Sequence, residues 1–192
     1  MSESGAYYTE ERWNNWLDRL REEDVDPEDE DAARLFFNLM DDAANAVAKV
    51  LTGHSEGELD EAAAQDELER IRGIVMTEVE FDDEEKLVFV DTVQTSLLSV
   101  FYAAEEYVAA GPAEEGTPEE YVDAAVDAEA EEDVDSALAY CVQAGTLIID
   151  GDEFDTRKAE EIEYGFVANF VDGLTSLQEA LADPELVEED ED

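Results

Sequence analysis

Residues 92–104 read TVQTSLLSVFYAA, and no charge interrupts them. In a chain where 35% of residues are charged, such a run suits a place away from water. Apolar residues extend it at helical spacing. Leu87, Val90, Leu97, Phe101 and Val108 line one side, and Phe89, Val93, Val100 and Tyr107 line another. A helix that is apolar on more than one side belongs inside a bundle. Phe81-Asp82-Asp83-Glu84-Glu85 places acids at the positive end of its dipole, and Gly111-Pro112 stops it. The pattern predicts one long central helix ending near Ala110.

A second uncharged run, Ser136–Ile149, predicts a second central helix, which begins after Asp133 and is closed by Gly151. Before it, Thr117-Pro118-Glu119-Glu120 supplies a cap, a proline at the first helical position and a glutamate three residues on, which starts a helix over about 118–130. Toward the N-terminus, Thr9 caps a short helix whose apolar face is Trp13, Trp16, Leu17 and Leu20. An acidic link containing Pro27 leads to a helix running to Thr52, with Leu35, Phe36, Leu39, Met40, Ala43, Val47, Val50 and Leu51 inward and Gly53 as its stop. Ser55 and Glu58 have the spacing of a capping box for the next helix, which turns Ala64, Leu68, Ile71 and Val75 inward and ends near Val79. Asp155 or Thr156 caps a last long helix to about Ala182, and Pro184 stops it. The expected fold is all-α: a single-domain bundle of about seven helices with two central uncharged helices. A flexible N-terminus over 1–8 and an acidic disordered tail over 183–192 flank a helical domain over 9–182. The short run Leu147-Ile148-Ile149, the best candidate strand, is absorbed by the helix before it.

The 57 acidic and 10 basic side chains give a formal net charge of −47. Self-repulsion of that size opposes a compact state in dilute buffer. At about 1 M salt the Debye length falls to roughly 3 Å and most of the repulsion is screened. The composition therefore implies a salty interior, and Met1-Ser2-Glu3-Ser4, with no basic or apolar stretch of a secretion signal, leads to the expectation of a cytoplasmic protein. Acids spread over nearly every helix disfavour a phosphate mimic or a single acidic tail. The scarcity of Lys and Arg disfavours nucleic-acid partners, since phosphate contacts need clustered cations. Neither uncharged run is long enough to span a bilayer as a helix, so no membrane association is expected.

The chemistry-bearing residues are few. His54 is the only histidine, which excludes two-histidine metal motifs, and it follows Gly53 in an expected loop facing solvent. Cys141 is the only cysteine and lies in the uncharged sixth helix, where a thiol packs rather than reacts. Asp24, Asp26 and Glu28 imitate the opening of a calcium loop, but Asp29 and Leu35 occupy positions that need Gly and Glu. No glycine-rich phosphate loop occurs. No catalytic, cofactor-binding or metal residue is assigned, and no cofactor is expected. A carboxylate-only enzyme, for example through Glu105 and Glu106, ranks last among the function classes. The helical glycines Gly73, Gly145, Gly165 and Gly173 suggest close helix approach. Thr92, Gln94, Thr95, Ser96, Ser99 and Tyr102, with Tyr140 and Gln143, need hydrogen-bond partners where buried. They suggest a network between the two central helices or, alternatively, a small polar pocket.

One cluster points outward. Arg12, Trp13, Trp16, Arg19 and Arg21 fall within ten residues and hold three of the chain's ten basic side chains. Trp and Arg are enriched where proteins bind one another, and these five residues form the candidate interface. The competing reading docks the tryptophans onto the bundle.

Tyr8-Thr9-Glu10-Glu11-Arg12-Trp13 with Trp16-Leu17, Phe81-Asp82-Asp83-Glu84-Glu85, Gln94-Thr95-Ser96-Leu97 and Phe101-Tyr102-Ala103-Ala104-Glu105 resemble an archaeal family of unknown function, domain family 2150. The resemblance covers about residues 7–182. It implies a haloarchaeal setting and carries no activity or site residue. The expected role is that of a non-enzymatic helical interaction or adaptor protein of a halophilic archaeon, with a protein partner or a second copy of the chain. The alternative is a cytoplasmic all-helical chaperone or maturation factor for a redox enzyme.

Overall fold

The computed structural model describes residues 7–23, 26 and 28–182. Most of the expected loose start, all of the expected acidic tail, Pro184, and Asp24 and Pro27 of the acidic link lie outside those residues. Among the described residues every regular element is a helix. There are eight: α1 (Glu10–Glu22), α2 (Glu30–Ser55), α3 (Glu61–Val75), α4 (Glu84–Ala110), α5 (Pro118–Ala130), α6 (Val134–Asp150), α7 (Thr156–Glu161) and α8 (Phe166–Ala182).

Side chains close the helix starts as the sequence directs. Thr9 accepts from the Arg12 amide, Asp83 from the Glu85 amide and Asp133 from the Ser136 amide. Thr117 and Glu120 form the expected reciprocal box at α5. The start of α3 differs from expectation, since Asp60 is its cap and Ser55 still belongs to α2. Gly53 does not end α2 but lies inside it, with the Tyr7 hydroxyl and Leu59 packed where a side chain would stand. His54 is therefore helical and half-buried, its Nδ1 3.0 Å from the Leu59 carbonyl oxygen, and not a solvent-facing loop residue.

The expected last helix is two helices. Gly165 takes φ +116 between α7 and α8, which breaks the helical path. The first turn of α8 then exposes amides that need acceptors. Glu129, from α5, supplies them: its Oε1 accepts from the Phe166 amide at 2.6 Å and its Oε2 from the Val167 amide at 3.3 Å. A helix start is here closed by a carboxylate 37 residues upstream, in a position the helix dipole favours.

The α4 helix packs against α2, α3, α6 and α8. Val93, Leu97, Val100, Phe101, Ala103 and Ala104 are fully buried on it. Its length and mean hydropathy suffice to cross a bilayer, and half of its most apolar stretch is buried inside the bundle. Two contacts fix its spacing from its neighbours. A Cβ on Gly145 of α6 would come 2.5 Å from the Cβ of Ala103, and one on Gly173 of α8 would collide with the Ser96 carbonyl oxygen. Both glycines answer to close helix approach, as expected. Gly73 does not, having open space around its Cα.

The polar residues of α4 turn mostly back on their own helix. Thr92 donates to the Val88 carbonyl, Thr95 to Asp91 and Ser96 to Thr92. Ser99 bridges to the Phe170 carbonyl of α8 at 2.8 Å, and Gln94 Nε2 donates to the carbonyls of Val75, the last residue of α3, and of Thr77 just beyond it. The expected network between α4 and α6 is therefore spread over α3, α4 and α8. Tyr102 and Tyr140 are exposed.

Candidate binding cleft between the first two helices

The apolar stripe of α2 contains one charge. Asp42 falls between Met40 and Ala43, both fully buried, and is itself 8% exposed. A carboxylate withdrawn from water costs several kcal/mol unless paired. Arg12 of α1 pairs with it: Nε lies 2.9 Å from Oδ1 and 2.8 Å from Oδ2, and Nη2 closes on Oδ1 as well. The Trp16 indole N–H donates to Oδ2 at 2.9 Å. Helix α1 is thus fastened to α2 through one buried acid.

Beside this pair opens a cleft of about 650 Å³, lined by Arg12, Asn15, Trp16 and Arg19 of α1 and by Asn38, Asp41, Asp42 and Asn45 of α2. Burial raises the pKa of Asp41, against a hydrogen bond from Ser176 that lowers it. A smaller cavity of about 30 Å³ shares Arg12, Asp42 and Asn45 and adds Tyr7, Tyr8, Ala46 and Lys49. Tyr8, expected in the loose N-terminal segment, is a core residue 2% exposed, and its carbonyl accepts from Arg70 at 2.7 Å. Its hydroxyl is buried beside the Asp42 carboxylate, outside the geometry of a well-formed hydrogen bond. Burial, then the negative charge of Asp42, pushes the Tyr8 pKa up, so the hydroxyl keeps its proton.

The family model described as "Uncharacterized protein conserved in archaea (DUF2150)" matches residues 6–190. The chain belongs to that family. No curated protein and no solved structure matches it.

In this DUF2150 protein, three of the five expected interface residues, Arg12, Trp16 and Arg19, converge on the cleft. The Arg19 guanidinium stands 5.6 Å from the centre of the Trp16 ring and pairs with Glu23 at 3.1 Å. The other two do not join them. Trp13 is 2% exposed and packs in the core. Arg21 faces another cleft, 5.1 Å from the Phe81 ring centre and paired with Asp18. The spacing explains the division: residues 12, 16 and 19 lie on one helical face, and Trp13 is turned inward by the same rotation that buries Leu17 and Leu20.

The pattern reading missed Asp42, Asn38, Asn45, Tyr8 and Lys49. One signal was present, an aspartate within the inward stripe of α2, with an asparagine four residues before it and another three after it on the same face. The remaining chemistry-bearing side chains lie elsewhere. Cys141 is fully buried, and desolvation pushes its thiol up to about 12. Glu105 has a raised pKa from burial, opposed by Arg72 with Nη1 3.4 Å away. Asp155, in the acidic turn after α6, caps α7 and grips Arg157.

Proposed function

We propose that this chain is a non-enzymatic helical interaction protein, an adaptor or assembly factor of a halophilic archaeon, and that it engages its partner through the cleft between α1 and α2. One observation carries the reading: Arg12, Trp16 and Arg19 line an open cleft, while Asp42 anchors the first two of them from below. Side chains held in fixed positions lose little freedom on binding, which favours a recognition surface. The net charge of −47 supports the cytoplasm of a salt-accumulating cell as the setting.

The test is recovery of partners from native lysate in molar potassium chloride, with two variants beside the natural protein. Arg19→Gln alters the cleft without touching the buried pair, and Arg21→Gln alters the neighbouring face. A partner held by the natural protein and by Arg21→Gln but lost from Arg19→Gln supports the assignment. A partner indifferent to Arg19, or no recurring partner, refutes it.

A further inference from the structure

Between α6 and α8 the chain passes along α5, and it is pinned at two points. At the first, Phe154 is 3% exposed, its amide donates to Gln178 Oε1 of α8 at 2.7 Å, and its carbonyl accepts from Gln178 Nε2 at 3.1 Å. At the second, Gly165 takes φ +116 and Glu129 of α5 holds the Phe166 amide. The stretch between these pins contains α7 and no buried side chain. Only Lys158, Ala159 and Ile162 are partly covered, the last two against the apolar cluster that includes Val122 and Ala125 of α5.

Two polar contacts tie that stretch to α5. Glu119 Oε1 accepts from the Asp155 amide at 3.0 Å, and the Lys158 ammonium meets Asp123 Oδ1 at 2.7 Å. Residues 88–192 hold only two cations, Arg157 and Lys158. Arg157 turns to Asp155, within the stretch itself, so Lys158 is the cation that joins it to the bundle. The Asp123 carboxylate, and after it Glu161 and Glu119, raises the Lys158 pKa and keeps the ammonium charged. Without that charge the acids gathered round it, Glu161 on α7 and Glu119 and Asp123 on α5, repel one another.

A helix of six residues is not stable on its own, because the cost of its first turn outweighs so few hydrogen bonds. Helix α7 therefore persists only while docked, and undocking and unwinding are one event. Its few covered contacts place it at the low end of local stability. We infer that residues 155–165 form a strap that opens and closes as a unit between the Phe154 and Gly165 pins, with the Lys158–Asp123 pair as its latch, while the rest of the bundle stays folded. Val126, one turn after Asp123 and one turn before Glu129, lies on the same side of α5 as both. Opening lifts Ala159 and Ile162 off the cluster beneath and joins that apolar surface to Val126 and Phe166, which are exposed already. The strap is separate from the α1–α2 cleft and does not depend on it.

Residue-resolved hydrogen exchange of the full chain in molar potassium chloride tests this, with Lys158→Gln and Arg157→Gln beside the natural protein. Both variants remove one positive charge, but only the first removes the latch. In the natural protein the amides of Lys158 to Ile162 should share one protection factor, about tenfold or more below those of buried positions in α5 and α8. Lys158→Gln should lower that shared factor about fivefold, the upper worth of a single surface ion pair, and leave α5 and α8 as they were. Arg157→Gln should change it by less than about twofold. The inference is overturned if the strap amides are as protected as α5 and α8, if Lys158→Gln leaves them unchanged or loosens α5 and α8 equally, or if both variants give the same loss.

Discussion

Trp13, Leu17, Leu20, Leu35, Leu39 and Met40 fill the space around α1 and α2, whereas Ala125, Ala128, Ala137, Ala144 and Cys141 fill the space around α5 and α6. The first region is held by bulk and by a buried ion pair. The second also contains Val122, Ile148 and Phe154, but there Gly145 of α6 meets Ala103 of α4 with no room for a further methyl. Large side chains can shift rotamer to absorb a change, but a backbone pressed against a Cα has nowhere to go. The basic residues are divided as unequally. Residues 118–182 contain only Arg157 and Lys158 among many acids, and the other eight cations precede residue 87. One region thus has charge partners of its own, and the other depends more on dissolved salt.

Withdrawing salt should produce the largest effect. As potassium chloride falls from molar to about 0.1 M, the Debye length grows to about 10 Å and repulsion returns. Helicity should fall, and hydrogen exchange should show α5, α6 and α8 opening before α1–α3. Unchanged circular dichroism, or opening in the reverse order, would remove the contrast between the regions.

Substitution at a close contact comes next. Gly173→Ala sets a methyl against the Ser96 carbonyl of α4 and should cost about 3 kcal/mol. For a chain of this size that lowers Tm by roughly 6–12 °C. Gly73→Ala meets open space and should raise stability by about 0.5–1 kcal/mol through helix propensity. Thermal melts in molar salt decide both, and equal melting of the two variants would contradict the tight α4–α8 crossing.

On the other side of the comparison, Arg12→Gln leaves Asp42 buried with no cation beside it and should cost about 2–3 kcal/mol, a discount for the partial exposure of Arg12. Arg12→Met combined with Asp42→Leu should recover most of that loss, because an apolar pair replaces an ion pair of similar volume. If the double variant melts lower than Arg12→Gln alone, the pair matters for more than charge balance.

The smallest effect is expected at Glu129. Glu129→Gln keeps an acceptor at the start of α8 but removes the charge that favours the dipole, for a loss of about 1 kcal/mol. Faster hydrogen exchange at Phe166 and Val167, with the rest of the bundle unchanged, would place the loss at that helix start.

Most of the architecture was legible in the residues. The uncharged runs announced α4 and α6, the caps at Thr9 and Thr117 announced two helix starts, and the acids at Asp83 and Asp133 marked two more, because those signals act within one turn of chain. What escaped was set by residues far apart in sequence. Apolar spacing ran through Ile162 and Phe166, so the break at Gly165 was hidden, and its acceptor, Glu129, lies on another helix. Gly53 looked like a stop because its real reason, the nearness of Tyr7 and Leu59, is tertiary. The candidate site was half visible. Arg12, Trp16 and Arg19 stood out by type, but Asp42, Tyr8 and Lys49 gain meaning only from the cleft they share.

The carboxylate of Glu129 has a further consequence for how the bundle assembles. Its two oxygens meet two successive amides, so they mark a single register of α8 against α5. Sliding α8 by one turn would strand those amides and carry Gly173 away from Ser96. The start of α8 and its crossing with the central helix therefore agree on one alignment: Glu129 marks where the last helix begins, and the approach of Gly173 to Ser96 marks how it lies on α4.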